Sequence, residues 1–258
     1  MSDILLYEVQ NNICTITLNR PDRYNAFNND LSFQFIDALK RARKDPEVRV
    51  VVLTGAGKAF CSGQDLKDVS GKTRSLGESV RKRYNPMVNL ITGTEKPYVC
   101  RMNGVAAGAG ASIALACDYV IASEKAAMVW AFANIGLVLD SGSSYFLPRL
   151  VGRQKAFELA TLGEKISAQQ AFDLGLVNQL VAPDELDEKV KAISERYASA
   201  ATKAIGLIKR MLNRSFNSSL QDMLDMEMYG QEIAGRSGDY KEGVAAFVEK
   251  RKPNYQGQ

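Results

Sequence analysis

The segment that most limits the fold is Val48 to Leu53, apolar apart from Arg49 and ended by Thr54-Gly55-Ala56-Gly57. A short run without apolar/polar alternation predicts a strand buried on both faces, which needs a layer of structure on each side. Tyr98 to Met102 and Tyr119 to Ala122 repeat the pattern. Ile13 to Leu18 alternates and is rich in β-branched residues, so it predicts a strand, broken by Asn19-Arg20-Pro21-Asp22. Between these lies a helical spacing, with Leu31, Phe35, Ile36 and Leu39 on one stripe of Leu31 to Lys44. Strand-helix-strand alternation through residue 180 predicts an α/β layer architecture. Val69 to Ser79 is polar and reads as a loop.

The pattern then changes. Asp184 to Ala198, Ala201 to Arg214, Ser218 to Ala234 and Asp239 to Lys250 all read as helices, with Pro183-Asp184 at the start of the first. A boundary near residue 200 divides a core, 1–200, from an all-helical segment, 201–258. The apolar stripes of that segment (Leu207, Ile208, Met211; Met223, Leu224, Met226, Met228) fit a core or a subunit interface better than a ligand site. A length of 258 residues suits one large domain, or one with a smaller appendage.

The chain contains no histidine. That excludes Ser-His-Asp and Cys-His nucleophilic catalysis and histidine-ligated zinc, leaving carboxylate, Lys, Tyr, Cys or water to move protons. Cys14, Cys61, Cys100 and Cys117 form no CxxC pair. With no signal-like amino terminus and no apolar stretch near the roughly 18 residues that span a bilayer, a reduced, cytoplasmic protein without membrane partners is expected. The net charge of +4 is mild. Its tight clusters, Arg81-Lys82-Arg83 and Lys250-Arg251-Lys252, read as solvated faces, with a phosphate-bearing ligand as the alternative. Nothing resembles a nucleic-acid module, and no nucleic-acid partner is expected.

Four segments could carry chemistry. Gly55-Ala56-Gly57-Lys58 fits neither nucleotide-loop pattern and reads as a turn. Phe60 to Leu66 has the small residues that let backbone approach a ligand. Asn103 to Ser112 opens an apolar helix with glycine and alanine. Its free N–H groups suit an anion or oxyanion, or the small residues simply permit close helix-strand packing. Asp140 follows Ile135 to Leu139 and precedes a helix expected from Gly142 to Leu150, where it could be a plain N-cap.

Taken in order, these segments resemble the crotonase (enoyl-CoA hydratase/isomerase) superfamily. The matching elements are Leu18 to Pro21 with Asn25 to Phe27, Phe60 to Leu66, Asn103 to Asp118 and Asn134 to Gly142. Leu162-Gly163 with Ser167-Ala168, Ala171 to Val177 and Phe247 to Arg251 complete the set. The resemblance implies a spiral of ββα turns over 1–200 and a helical trimerisation region over 201–258, assembled as a homotrimer or homohexamer. It implies an acyl-coenzyme A thioester as substrate, with no separate cofactor. The thioester oxygen would be held by the backbone N–H groups of Gln64 and Ala109. Ala26, Ser62, Asp65 and Leu66 would line the coenzyme A channel, with Arg23 near its phosphates. Val105, Gly108, Phe132 and Leu139 would line the substrate site, and Phe247 and Lys250 could reach the ligand of a neighbouring subunit.

A hydratase of this family uses two glutamates; the matching positions here are Ser112 and Phe132. Hydration must activate water and protonate carbon, so efficient hydratase activity is not expected. Asp140 stands where isomerase branches, notably one resembling ring-1,2-epoxyphenylacetyl-CoA isomerase, place an acid. The resemblance therefore implies an isomerase with Asp140 as acid/base. Phe132 and the run Ile135 to Leu139 are expected to surround Asp140 and raise its pKa. A dehalogenase branch pairs this aspartate with a histidine the chain lacks. The alternatives are hydration, or a noncatalytic acyl-CoA- or RNA-binding family member.

Overall fold

The computed structural model describes residues 3–69 and 75–258. Strands β1 (Leu5–Gln10) and β2 (Ile13–Leu18) form an antiparallel hairpin. Its two turn residues, Asn11 and Asn12, both have positive φ (52° and 62°), the handedness a two-residue hairpin requires. Helix α1 (Asn29–Lys44) follows, its first turn capped by the Asn28 side chain, which accepts from the Leu31 N–H. Strands β3 (Val50–Gly55) and β4 (Ala59–Cys61) lead to the short helices α2 (Leu66–Val69) and α3 (Leu76–Ser79). The polar loop expected over Val69 to Ser79 thus ends in helix at both sides, and its middle lies outside the described residues. A π-helical turn, Val80–Tyr84, runs into α4 (Asn85–Gly93).

Then come β5 (Tyr98–Met102), β6 (Val105–Ala107), α5 (Ala109–Ala116), β7 (Tyr119–Ser123), β8 (Ala127–Val129) and α6 (Ser143–Leu162). They are followed by β9 (Ile166–Ser167), α7 (Ala168–Asp173) and β10 (Gln179–Val181). The chain ends in α8 (Leu186–Ala198), α9 (Thr202–Ser215), α10 (Leu220–Gly235) and α11 (Gly238–Val248). Among the described residues the strands make two sheets, ordered β1-β2-β3-β5-β7-β10 and β4-β6-β8-β9.

Strand β3 explains the architecture. It pairs in parallel with β2 on one side and β5 on the other, and all its residues are buried. Val51 and Leu53 point into the main core with Leu39, Ile91 and Met102. Val50 and Val52 point the other way, into a second core closed by Leu186 and Val190 of α8. Each such side chain contributes roughly 1.5–3 kcal/mol on burial, so a run apolar on both faces is stable only with helices on both sides. The α/β expectation therefore holds.

The carboxy-terminal helices are tied to this core through α9. Leu207 is buried, and Lys209 Nζ donates to Ile91 O (2.7 Å), Lys96 O (3.2 Å) and Asp118 Oδ2 (2.7 Å). Much of the apolar surface of α9 to α11 stays exposed on the single chain, including Ile208, Phe216, Leu220, Leu224 and Met228. Among the described residues no helix is long and apolar enough to cross a membrane.

Candidate active site

Two turns of the second sheet meet at the site. After β4 the chain passes through Gly63 (φ +87°) to Gln64. Phe27 lies alongside: its N–H donates to Gly63 O (2.7 Å), and Asp65 N–H donates to Phe27 O (2.9 Å). This bridge bypasses the N–H of Gln64. Strand β6 enters α5 through Gly108, making Ala109 the first helical residue, whose N–H has no intrahelical partner. Gly110 is packed so tightly on the end of β4 that an added Cβ would overlap the Cys61 carbonyl oxygen. A Cβ on Gly63 would lie 3.3 Å from Ala109 N, which measures how closely the two turns approach. Neither Gln64 N–H nor Ala109 N–H has an acceptor among the described residues. Two fixed N–H groups, one of them at a helix start, can stabilise negative charge that develops on an oxygen between them.

The Gln64 side chain is held at both ends. Its Nε2 donates to Phe27 O (2.9 Å) and Asp65 O (3.2 Å). Its Oε1 accepts from Arg83 Nη2 (2.8 Å) and Tyr84 Oη (2.7 Å). Arg83 and Tyr84 come from the π-helical turn and are both buried, Tyr84 edge-on to Phe27. Neither residue was expected in the site, and Arg83 does not belong to a solvated face. The signal was present: positions 80, 83, 84, 87, 88 and 91 form one helical stripe that carries Arg83 inward with Met87 and Ile91.

Asp140 is half-buried and does not cap α6. The N-cap of that helix is Gly142, without a side-chain cap, and only the Asp140 backbone oxygen takes part, accepting from Ser143 N (3.0 Å). Its carboxylate accepts instead from Ser141 Oγ (2.8 Å). Burial pushes the Asp140 pKa up; the Ser141 hydrogen bond and the charge of Arg83 offset this in part, and the net direction is upward. The expected apolar enclosure is only partly realised. Phe132 is buried and Leu139 packs on the core, but Ile135, Leu137 and Val138 are exposed on the single chain. A left-handed Gly136 at the end of a short 3-10 turn lets the loop run along the surface rather than over the carboxylate.

Beside Asp140 lies a buried hydroxyl chain. Trp130 Nε1 donates to Ser143 Oγ (3.0 Å), Ser143 and Ser112 share a 2.5 Å hydrogen bond, and Ser112 Oγ donates to Gly108 O (3.0 Å). Every polar atom in it is satisfied, so position 112, which the resemblance equates with a hydratase glutamate, holds a neutral hydroxyl. Phe132, at the other matching position, lies over Gly108, where an added Cβ would sit 3.7 Å from its Cζ.

The remaining residues spread outward. Ala26 is buried beside Phe27, and Ser62 bonds to the turn before it, its N–H donating to Tyr24 O (3.0 Å) and its Oγ to Arg23 O (3.4 Å). Arg23 and Leu66 are exposed on the same rim. Asp65 pairs with Arg20 at 3.0 Å; burial raises its pKa, but the Arg20 bond and charge, with backbone N–H groups, bring it below the usual carboxylate range. Val105 opens β6, partly buried. Phe247, 85% exposed, lies on α11 and Lys250 just beyond it; neither side chain bonds to the residues above. Burial pushes the Cys61 thiol up to about 12, which makes it a poor nucleophile. Among the described residues no three Cys, Asp or Glu side chains gather as a metal site.

Residues 8–258 match the family model described as enoyl-CoA hydratase/isomerase. The 1,2-epoxyphenylacetyl-CoA isomerase of Escherichia coli K12 is 42% identical over 262 aligned positions, covering 100% of both chains. A probable enoyl-CoA hydratase of Rhodobacter capsulatus is 38% identical, covering 98% of this chain and 97% of its own. The crystal structure of a putative enoyl-CoA hydratase/isomerase from Mycobacterium abscessus superposes with a TM-score of 0.94 at 34% identity, covering 98% of this chain and 100% of that one. The chain belongs to the enoyl-CoA hydratase/isomerase family and has the crotonase fold.

Proposed function

We propose that the protein isomerises an acyl-coenzyme A thioester through an enolate, by a double-bond shift or by opening an epoxide ring. The thioester oxygen lies between the N–H groups of Gln64 and Ala109. Ionised Asp140 takes a proton from carbon, and the electron pair moves to the thioester oxygen as the enolate forms. The carboxylic acid so formed at Asp140 then returns the proton to a different carbon. Atoms balance without added water. What supports this reading is that the Asp140 carboxylate accepts only from Ser141, that its backbone oxygen accepts from Ser112 in the first turn of the helix Ala109 opens, and that the Gln64 and Ala109 N–H groups have no acceptor among the described residues.

Arg23, Ala26, Ser62, Asp65 and Leu66 border the coenzyme A side. Val105, Gly108, Phe132 and Leu139 border the acyl side. Phe247 and Lys250 act on a neighbouring subunit's ligand in a trimer or hexamer built on the exposed apolar faces of α9 to α11. The division at residue 200 belongs to the same proposal. Hydration has little support, because Ser112 and Phe132 supply no second carboxylate to activate water.

The test uses crotonyl-CoA, a 3-enoyl-CoA and an epoxyphenylacetyl-CoA, followed by absorbance and mass. Mass-neutral conversion of either of the last two, lost in Asp140→Asn, is expected. Rapid gain of water by crotonyl-CoA, or full isomerase turnover by the Asn variant, overturns the assignment.

A further inference from the structure

Arg83 is 4% exposed. Its Nη2 donates to Gln64 Oε1 (2.8 Å) and to Ser79 Oγ, and its Nε donates to Ser79 Oγ (3.1 Å). Among the described residues no carboxylate bonds to it, and Nη1 is buried without any acceptor. A guanidinium removed from water with one arm unmet is costly, because desolvation is repaid only by a complete set of hydrogen bonds. Such a group gains from one further acceptor, which a ligand oxygen can supply.

The surroundings say which part of a ligand that is. The same guanidinium grips Gln64, and its charge is felt by Asp140 and Tyr84. Through its bond to Gln64, Arg83 adjoins one of the two proposed oxyanion donors. The thioester oxygen already has two backbone donors, so Nη1 is left for another oxygen. Taking the thioester reading above as given, we propose that Arg83 is a specificity-determining residue whose Nη1 donates to an oxygen atom on the acyl group. The site then prefers oxygenated acyl thioesters, bearing an epoxide, hydroxyl or carboxylate, to plain hydrocarbon ones. In an epoxide opening that oxygen gains negative charge, and a guanidinium hydrogen bond strengthens as it does so.

The experiment is isothermal titration of the intact protein with phenylacetyl-CoA, 2-hydroxyphenylacetyl-CoA and 2-carboxyphenylacetyl-CoA. The parent protein binds at least one oxygenated thioester roughly tenfold or more tighter than phenylacetyl-CoA, the usual effect of a charged hydrogen bond. Which of the two gains more tells a neutral acceptor from an anion. Arg83→Met and Arg83→Gln lose the preference, read as the ratio of the affinities so that any loss common to all three thioesters through the Gln64 bond cancels, and Arg83→Lys keeps part of it. Equal affinities in the parent overturn the proposal, whether or not the variants fold. So does a preference that survives in Arg83→Gln. If no thioester binds, the coenzyme A reading fails as well, an outcome distinct from equal binding of all three.

Discussion

Lys209 Nζ lies 2.7 Å from Asp118 Oδ2, with only 6% of the lysine side chain exposed. The same carboxylate oxygen accepts from Tyr98 N–H (2.7 Å), so one atom joins α9, β5 and the end of α5. Removing one partner leaves the other charge buried and unpaired, which costs about 3–5 kcal/mol. Lys209→Met and Asp118→Asn should each lower the unfolding free energy by that order, read from urea melts at fixed protein concentration. The double variant should lose less than the sum of the two; simple additivity would show that the pair is not coupled.

The Asp140 carboxyl titrates above its ordinary range because burial outweighs the Ser141 bond and the Arg83 charge. Proton abstraction needs the ionised form, so kcat/KM should fall with acid at a pH above the ordinary value of about 4. Asp140→Asn should reduce isomerase turnover by about 10²- to 10⁴-fold and abolish that limb. A rate profile flat down to pH 4 would count against Asp140 as the base.

The same shift has the opposite sign for stability. A carboxyl whose folded pKa is raised is easier to ionise in the unfolded chain. Stability is therefore lost as pH rises from the unfolded value of about 4 through the folded one, and the deficit persists at neutral pH. The Tm of Asp140→Asn minus that of the parent should be more positive at pH 7 than at pH 3. An equal difference at both pH values would mean that the carboxylate is not desolvated.

Gly110 and Gly77 make a matched contrast. A Cβ on Gly110 overlaps the Cys61 carbonyl, whereas one on helical Gly77 meets nothing among the described residues. Gly110→Ala should cost about 1–3 kcal/mol by overpacking. By displacing Ala109 it should also cut turnover by as much as about 10²-fold. Gly77→Ala should be neutral or stabilising by about 1 kcal/mol. Comparable thermal melts for the two variants would refute the close approach of α5 to β4.

Legibility in the sequence followed burial. Strand β3 could be read because both its faces are apolar, and the carboxy-terminal helices because their stripes recur at helical spacing. Strand β1 was not read: it is an edge strand, more exposed toward Gln10, so no sharp pattern marks it. Helix α6 runs past Pro148 to Leu162, broken at Gly152 (φ 75°), where propensity alone predicts an end near Leu150. The segments bearing Gln64 and Ala109 stood out by their small residues, but it was the family resemblance that singled out those two residues. Arg83 was hidden inside a basic triplet because charge composition does not say which member turns inward.

The chain Trp130–Ser143–Ser112 bears on how this site could change its chemistry. A glutamate at position 112 would face a space already occupied by a tryptophan N–H and a second serine. It would bring a second carboxyl group close to Asp140, into a chain of otherwise neutral partners. On the single-carboxylate reading proposed above, water-adding chemistry is thus more than one substitution away. Three side chains from β8's far end, α5 and α6 would have to change together, and partial steps would forfeit packing before any new reaction appeared. Directed evolution toward hydration should therefore stall on single-site libraries and advance only where all three positions vary at once.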